Sequence, residues 1–174
     1  MVYDLAMPRN VEVKIRVDDL AAIRARALAL GAEDRGLLGQ IDTYFGTPGA
    51  GARLKLREHR PGRSELIAYL RPDAAGFRTS DFHVVPVDDP ARLREALSHA
   101  LGVVRQVAKT RHLLLLGRTR IHLDRVEGLG DFLELEVVLK EDDAVTGGEL
   151  EAEEILARLA LGARPRIAGS YVDL

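Results

Sequence analysis

The chain has 174 residues, 47% of them hydrophobic and 30% charged, with 16 Gly and 7 Pro, which is the makeup of a single globular domain over residues 1–174. Lys and Arg number 25 against 27 Asp and Glu, a formal charge of −2, which excludes a generic coat for bulk nucleic acid or an anionic membrane. Cysteine is absent, removing disulfides, thiolate metal sites and cysteine nucleophiles together, and no apolar run reaches membrane length; the expectation is a soluble cytoplasmic domain.

In chain order, a strand is predicted over about 10–17, followed by a helix from about Asp18 to Leu30. Asp18 or Asp19 can cap this helix, Leu20, Ile23, Ala27 and Leu30 recur at helical spacing, and Gly31 stops it. Strands follow over roughly 37–45, 52–59, 64–71 and 80–87. Asp89 then caps a second helix with Pro90 at its first position, and Leu93, Leu97 and Leu101 form a stripe ended by Gly102. Three more strands span about 104–115, 118–125 and 131–139. The last helix runs from about Glu149 to Leu161, with Leu150, Ile155, Leu156 and Leu159 apolar, Gly147-Gly148-Glu149 read as the turn entering it and Gly162 as its stop. Short connections such as Pro61-Gly62-Arg63 and Gly128-Leu129-Gly130 suit hairpins, so the expected class is α+β with an antiparallel sheet.

Side chains alternate between the two faces of a strand, and here the alternation separates charge from grease. The first strand sets Glu12, Lys14 and Arg16 against Val11, Val13, Ile15 and Val17. Arg53, Lys55 and Arg57 oppose Leu54 and Leu56; Glu65, Tyr69 and Arg71, with Ile67, oppose Leu66, Ala68 and Leu70. Lys109 and Arg111 share a face. Arg118, Arg120, His122 and Asp124 oppose Thr119, Ile121 and Leu123, and Glu134 and Glu136 oppose Leu133, Leu135 and Val137. One reading is a sheet whose polar face meets water. The other is a barrel, which eight strands suffice to close. Consecutive like charges on one face repel and want an anion to neutralise them. Turned inward, they make a basic tunnel suited to successive phosphate groups. Glu12, Glu134 and Glu136 are then candidate Mg²⁺ or Mn²⁺ ligands, since these ions bridge carboxylates to phosphates.

These residues resemble a known family. Val11-Glu12-Val13-Lys14 is similar to the Glu-x-Glu-x-Lys signature that opens CYTH domains, also called triphosphate tunnel metalloenzymes, a group named for class IV adenylate cyclase and thiamine triphosphatase. Asp42-Thr43-Tyr44-Phe45, the run from Arg53 to Glu58, the run from Glu65 to Pro72, Lys109-Thr110-Arg111 and the run from Ile121 to Glu136 follow in family order. The resemblance implies an eight-stranded antiparallel β-barrel, a tunnel with charged interior and apolar exterior covered by helices, that binds a triphosphate and processes it with Mg²⁺ or Mn²⁺. It implies metal ligation by Glu12, Glu134 and Glu136, with Glu65 and Asp124 in the same acidic set. Phosphate contacts fall to Lys14, Arg53, Lys55, Arg57, Arg71, Lys109 and Arg111, and alternation adds Arg118 and Arg120. Lys14 is also a candidate to orient or deprotonate the attacking water, so Lys14, Glu12 and Glu136 form the expected catalytic set.

Two departures bear on the reaction. Asn10 replaces the first Glu of the signature, giving a neutral oxygen where the family offers a carboxylate, and Asp4-Leu5 stand where class IV cyclases carry a His-Phe pair. These favour metal-dependent hydrolysis of a triphosphate (tripolyphosphate, a nucleoside triphosphate or thiamine triphosphate) over conversion of ATP to cyclic AMP and pyrophosphate. A second alternative is a non-catalytic module that binds phosphate ligands or RNA ends. The five His show no metal spacing, and no Walker-type loop or Gly-x-Ser-x-Gly elbow is present. Exposed strand edges and helices leave room for a homodimer.

Overall fold

The structure, a computed structural model, describes residues 9–49, 51–70, 78–79 and 81–174. Nine strands form one fully antiparallel sheet among the described residues: β1 (Arg9–Arg16), β2 (Glu33–Phe45), β3 (Ala52–Arg60), β4 (Ser64–Leu70), β5 (Arg78–Thr79), β6 (Asp81–Val87), β7 (Val103–Leu116), β8 (Thr119–Val126) and β9 (Gly130–Leu139). Their order across the sheet is β5-β1-β9-β8-β7-β2-β3-β4-β6. The eight expected strands are all present, and β5 is an extra pair of residues on the edge of β1, with Val11 opposite Thr79 and Glu12 opposite Arg78.

That short strand decides the shape. β5 lies at one end of the order and β6 at the other, yet Thr79 and Asp81 are separated by a single residue of chain. Two peptide steps span at most about 7 Å. The sheet therefore curls until its two edges meet there, and the charged face lies inside the curl.

Three helices lie on the outside. In α1 (Leu20–Ala29) the Asp19 side chain accepts from the Ala22 N–H at 2.9 Å; in α2 (Pro90–Leu101) Asp89 accepts from Arg92 at 3.1 Å, and Gly102 closes the helix at φ 71°. The last helix, α3 (Val145–Arg158), starts four residues before the expected boundary and ends before Gly162. Gly147 and Gly148 are thus helical rather than an entering turn. A Cβ on Gly148 would meet Leu139 Cδ2 and Val11 Cγ2 at 2.9 Å each, so the missing side chain is what lets the helix approach the sheet. Leu150, expected in the apolar stripe, is 71% exposed, and Ala152 joins Ile155, Leu156 and Leu159 in the core instead.

The main core is outside the barrel, where Val11, Val13 and Ile15 of β1, Ile121 and Leu123 of β8, and Leu133, Leu135 and Val137 of β9 pack under α1 and α3. Cover on the other side is thinner, because no residue of α2 is buried. A second apolar cluster lies on the interior face: Tyr44, Val107, Val126, Phe132 and Tyr171. These strand residues are the next inward positions beyond Asp42, Lys109, Asp124 and Glu134, so grease fills one end of the barrel. The C-terminal segment supplies its cap. Arg166 bridges to Ile15, the Ile167 N–H donates to the Lys14 carbonyl at 2.8 Å, and Tyr171 in a 3-10 turn (Tyr171–Asp173) meets Phe132 edge-on at 5.1 Å between centroids. Among the described residues no helix is long and apolar enough to cross a membrane.

Candidate functional site

The inward faces of the strands enclose a cavity of about 500 Å³. Alternation places its lining: Asn10, Glu12 and Lys14 from β1, Gln40 and Asp42 from β2, Lys55 and Arg57 from β3, Glu65 from β4, Lys109 and Arg111 from β7, Arg120 and His122 from β8, and Glu134 and Glu136 from β9. Asp124 lies directly opposite Arg111 in the ladder and is fully buried behind it. The expected phosphate-binding and acidic residues are thus largely brought together. Two of the basic residues are not. Arg53 shares the inward face but sits nearer the capped end, where it donates to Asp173 at 2.7 Å and borders a separate, smaller cavity. Arg118 lies in the β7–β8 turn rather than a strand, so strand alternation does not govern it; it reaches outward to Glu151 at 2.7 Å and Asp143 at 2.5 Å. Arg71 lies outside the described residues.

The strongly basic interior expected from the strand faces is corrected by the geometry. Each basic cluster is matched by carboxylates, and two of them, Asp42 and Asp124, carry the same arrangement. Asp42 accepts from Arg57 Nε and Nη2 at 2.7 Å each and from Lys55 Nζ at 3.1 Å. Asp124 accepts from Arg111 Nε and Nη2 at 2.6 Å each, from Lys109 Nζ at 3.0 Å, and also from the Tyr171 hydroxyl at 2.9 Å. Lys14 pairs with Glu134 at 3.1 Å and Arg120 with Glu136 at 3.1 Å. His122 stands between the two glutamates, 3.4 Å from Glu134 and 3.7 Å from Glu136.

These contacts set the charge states. Burial pushes the Asp42 carboxyl up, but the Arg57 and Lys55 charges outweigh it and hold the group well below the usual carboxylate range. The same contest, won by Arg111 and Lys109, lowers Asp124, and Lys14 with His122 and Arg111 lowers Glu134. Lys109 goes the other way. Burial and the neighbouring Arg111 and Arg57 charges outweigh Asp124 and Asp42 and push its ammonium down to about 7. Burial and Arg111 also lower His122, keeping it neutral at pH 7.

Tyr171 and Asp42 carry weight that their sequence signals do not show. The Tyr171 ring lies 4.0 Å from Lys14 Nζ and 4.9 Å from Lys109 Nζ, a cation–π contact with each. Nothing periodic marks its segment. Asp42 carried a signal, standing on the charged face of β2, but its role follows from the register that puts it opposite Arg57.

Among the described residues no three Asp, Glu or His side chains converge as a metal-binding group, because Glu134 and Glu136 are turned to cations. The donor chemistry nevertheless fits a hard cation. Glu12 lies opposite Glu136 across the β1–β9 ladder. Beside them Asn10 donates to Glu136 at 2.6 Å, while its own Oδ1 is buried with no hydrogen-bond partner. An orphaned buried acceptor costs about 1–3 kcal/mol, and a cation between it and the carboxylates would satisfy it. Asp124 fits less well, since its two oxygens already accept four hydrogen bonds.

Comparison with known proteins agrees with this geometry. The chain is 26% identical over 171 residues to adenylate cyclase CyaB of Aeromonas hydrophila, covering 95% of this chain and 87% of that one. Among solved structures, the PH1012 protein of Pyrococcus horikoshii superposes with a TM-score of 0.83 at 27% identity, covering 95% of this chain and 98% of that one. HpAC1 of Hippeastrum, an adenylyl cyclase candidate described as having a dominant triphosphatase activity, shares the fold at a TM-score of 0.66 and 16% identity, covering 94% and 93% of the two chains. The CYTH domain profile matches residues 8–171, nearly the whole chain, and the protein therefore belongs to the CYTH family.

Proposed function

We propose that this protein is a divalent-metal-dependent hydrolase of a triphosphate bound inside the barrel. The observation that carries the reading is the convergence of Lys55, Arg57, Lys109 and Arg111 on one cavity that also holds Glu12, Glu134 and Glu136. Water attacks the terminal phosphorus, the bond from that phosphorus to the bridging oxygen breaks, and diphosphate leaves with its negative charge matched by the four cations. Glu12, Glu134 and Glu136, with the Asn10 oxygen, would hold Mg²⁺ or Mn²⁺. Such an ion, when bound, neutralises charge developing on the phosphoryl oxygens. Lys14, buried beside this acidic set and paired to Glu134, would orient the water.

The alternative in the same family is cyclisation of ATP to cyclic AMP and pyrophosphate, which the name of the Aeromonas relative favours. Hydrolysis needs no ribose hydroxyl held in line. Asp4-Leu5 stand where class IV cyclases carry a His-Phe pair, and that departure favours hydrolysis. The deciding assay offers tripolyphosphate, ATP, GTP and thiamine triphosphate with Mg²⁺ or Mn²⁺ and resolves phosphate, pyrophosphate and cyclic nucleotide. Phosphate release, abolished by Glu136→Ala, is expected. Cyclic AMP with pyrophosphate as main products would establish the cyclase reading, and tight binding without turnover would leave a binding module.

A further inference from the structure

The two Asp-centred clusters share one set of Lys–Arg–Asp contacts, to which Tyr171 and Glu134 add a contact each in the second. In each, a Lys-x-Arg pair on one strand faces an Asp on the neighbouring strand, directly opposite the Arg: Asp42 opposite Arg57 and Asp124 opposite Arg111. In each, Arg Nε donates to Oδ1, Arg Nη2 to Oδ2, and Lys Nζ to the same Oδ2. The strands run β8-β7-β2-β3 across the sheet, so the second cluster is the first moved two strands around the barrel wall. Both carboxylates are essentially inaccessible, at 1% and 0% exposure.

A parallel two-point grip on a phosphate uses the Nε and Nη2 edge of a guanidinium. Here that edge is spent on the Asp. That leaves Nη1 of each guanidinium and the remaining ammonium hydrogens, on side chains that line the cavity, for a ligand. Two side chains two residues apart on a strand would otherwise repel, and each is long enough to adopt many rotamers. The carboxylate behind them removes both problems.

We propose that Asp42 and Asp124 are positioning residues of two equivalent clamps, each presenting one Lys and one Arg to one phosphoryl group. The ligand is thereby a chain anion with at least two phosphoryl groups. This rests on the triphosphate reading above. Neutralising either Asp has opposed effects on folding and binding. It leaves the buried Arg, and the Lys wherever that is charged, without a counter-charge in the empty protein, which is destabilising, yet it removes a negative charge from behind the phosphate. An incoming polyanion then takes over the lost neutralisation, while the loosened cations no longer hold the reacting geometry.

The test titrates inorganic tripolyphosphate, without metal, into wild type, Asp42→Asn, Asp124→Asn and Lys55→Met/Asp42→Asn, and follows thermal unfolding with and without it. Both Asn variants should unfold at lower temperature when empty, gain more from tripolyphosphate than wild type does, and bind it as tightly or up to tenfold more tightly. Where turnover is measurable, kcat should fall at least tenfold with KM unchanged or lower, a split that a merely structural residue would not give. The double variant, with its charge rebalanced, should recover stability and should fold even if Asp42→Asn does not. Tenfold weaker binding in either Asn variant, no recovery in the double variant, or a loss confined to Asp124→Asn in the presence of Mg²⁺ would overturn the equivalence. Wild type that binds no tripolyphosphate would instead sink the triphosphate reading, while the recovery of the double variant would still report on the clamp as a charge-balanced unit.

Discussion

Asn10 shows how one side chain can set the balance between an empty and a loaded site. Its amide donates to Glu136 at 2.6 Å while its oxygen is buried without a partner, so the residue is half satisfied. Asn10→Glu would restore the acidic signature of the family. In the absence of metal it replaces a donor with a second carboxylate facing Glu136, and should cost about 1–3 kcal/mol. With Mn²⁺ the added charge joins the ligand set, and the metal should bind roughly tenfold more tightly. Melting temperature measured with and without saturating Mn²⁺ should therefore fall in the first condition and recover in the second. A variant equally destabilised in both would show that position 10 does not face the metal.

At the scale of elements, α3 makes the sharpest case. Gly147 and Gly148 are adjacent in sequence and in the same helical turn, but a Cβ on Gly147 meets nothing within 4 Å, whereas one on Gly148 collides with Val11 and Leu139. Val11 is fully buried and β-branched, so it has little room to yield. Gly147→Ala should stabilise by about 0.4–1 kcal/mol through the unfolded chain. Gly148→Val should destabilise by roughly 1–3 kcal/mol through overpacking. Urea unfolding of the two variants checks both signs, and equal effects would place neither glycine against the sheet. This helix also marks where the sequence stopped being readable. Strand alternation is a period-two signal that burial on one face enforces, and it placed Lys14, Lys55, Arg57, Lys109, Arg111, Glu134 and Glu136 on the correct face. A Gly-Gly pair looks the same in a turn as in a close helix–sheet contact, because the contact is made on a strand 137 positions away at Val11 and on another nine positions away at Leu139, neither of which the pair itself records. Arg118 failed for a related reason, since parity has no meaning in the turn it occupies. Tyr171, which completes the Asp124 cluster and caps the barrel, lies in a segment with no periodicity at all.

For the whole molecule, lining one wall with closely paired basic and acidic side chains ties folding to pH in an unusual direction. Lys109 has a folded value of about 7 against about 10.4 unfolded. Between those values the unfolded chain holds a proton that the folded chain has released, so stability rises with pH from about 7 to about 10. Below pH 7 both states are charged and the penalty is constant. On the acid side, Asp42, Asp124 and Glu134 lie below their ordinary values; they stabilise fully above about pH 5 and lose that contribution as pH falls below about 4. On the alkaline side, burial and nearby carboxylates raise Tyr171, and burial raises Tyr44, so above about pH 10 the unfolded chain ionises first and stability falls again. Melting temperature should therefore peak near pH 9 to 10, and Lys109→Met should remove the rise above pH 7. A bound triphosphate favours the charged ammonium, so binding at pH 8 should take up close to one proton more in wild type than in Lys109→Met, seen as a difference in buffer-dependent binding enthalpy between the two that disappears at pH 6. A profile flat between pH 7 and 9, with no such difference at pH 8, would mean that Lys109 stays charged in the empty barrel and that its carboxylate neighbours outweigh its burial.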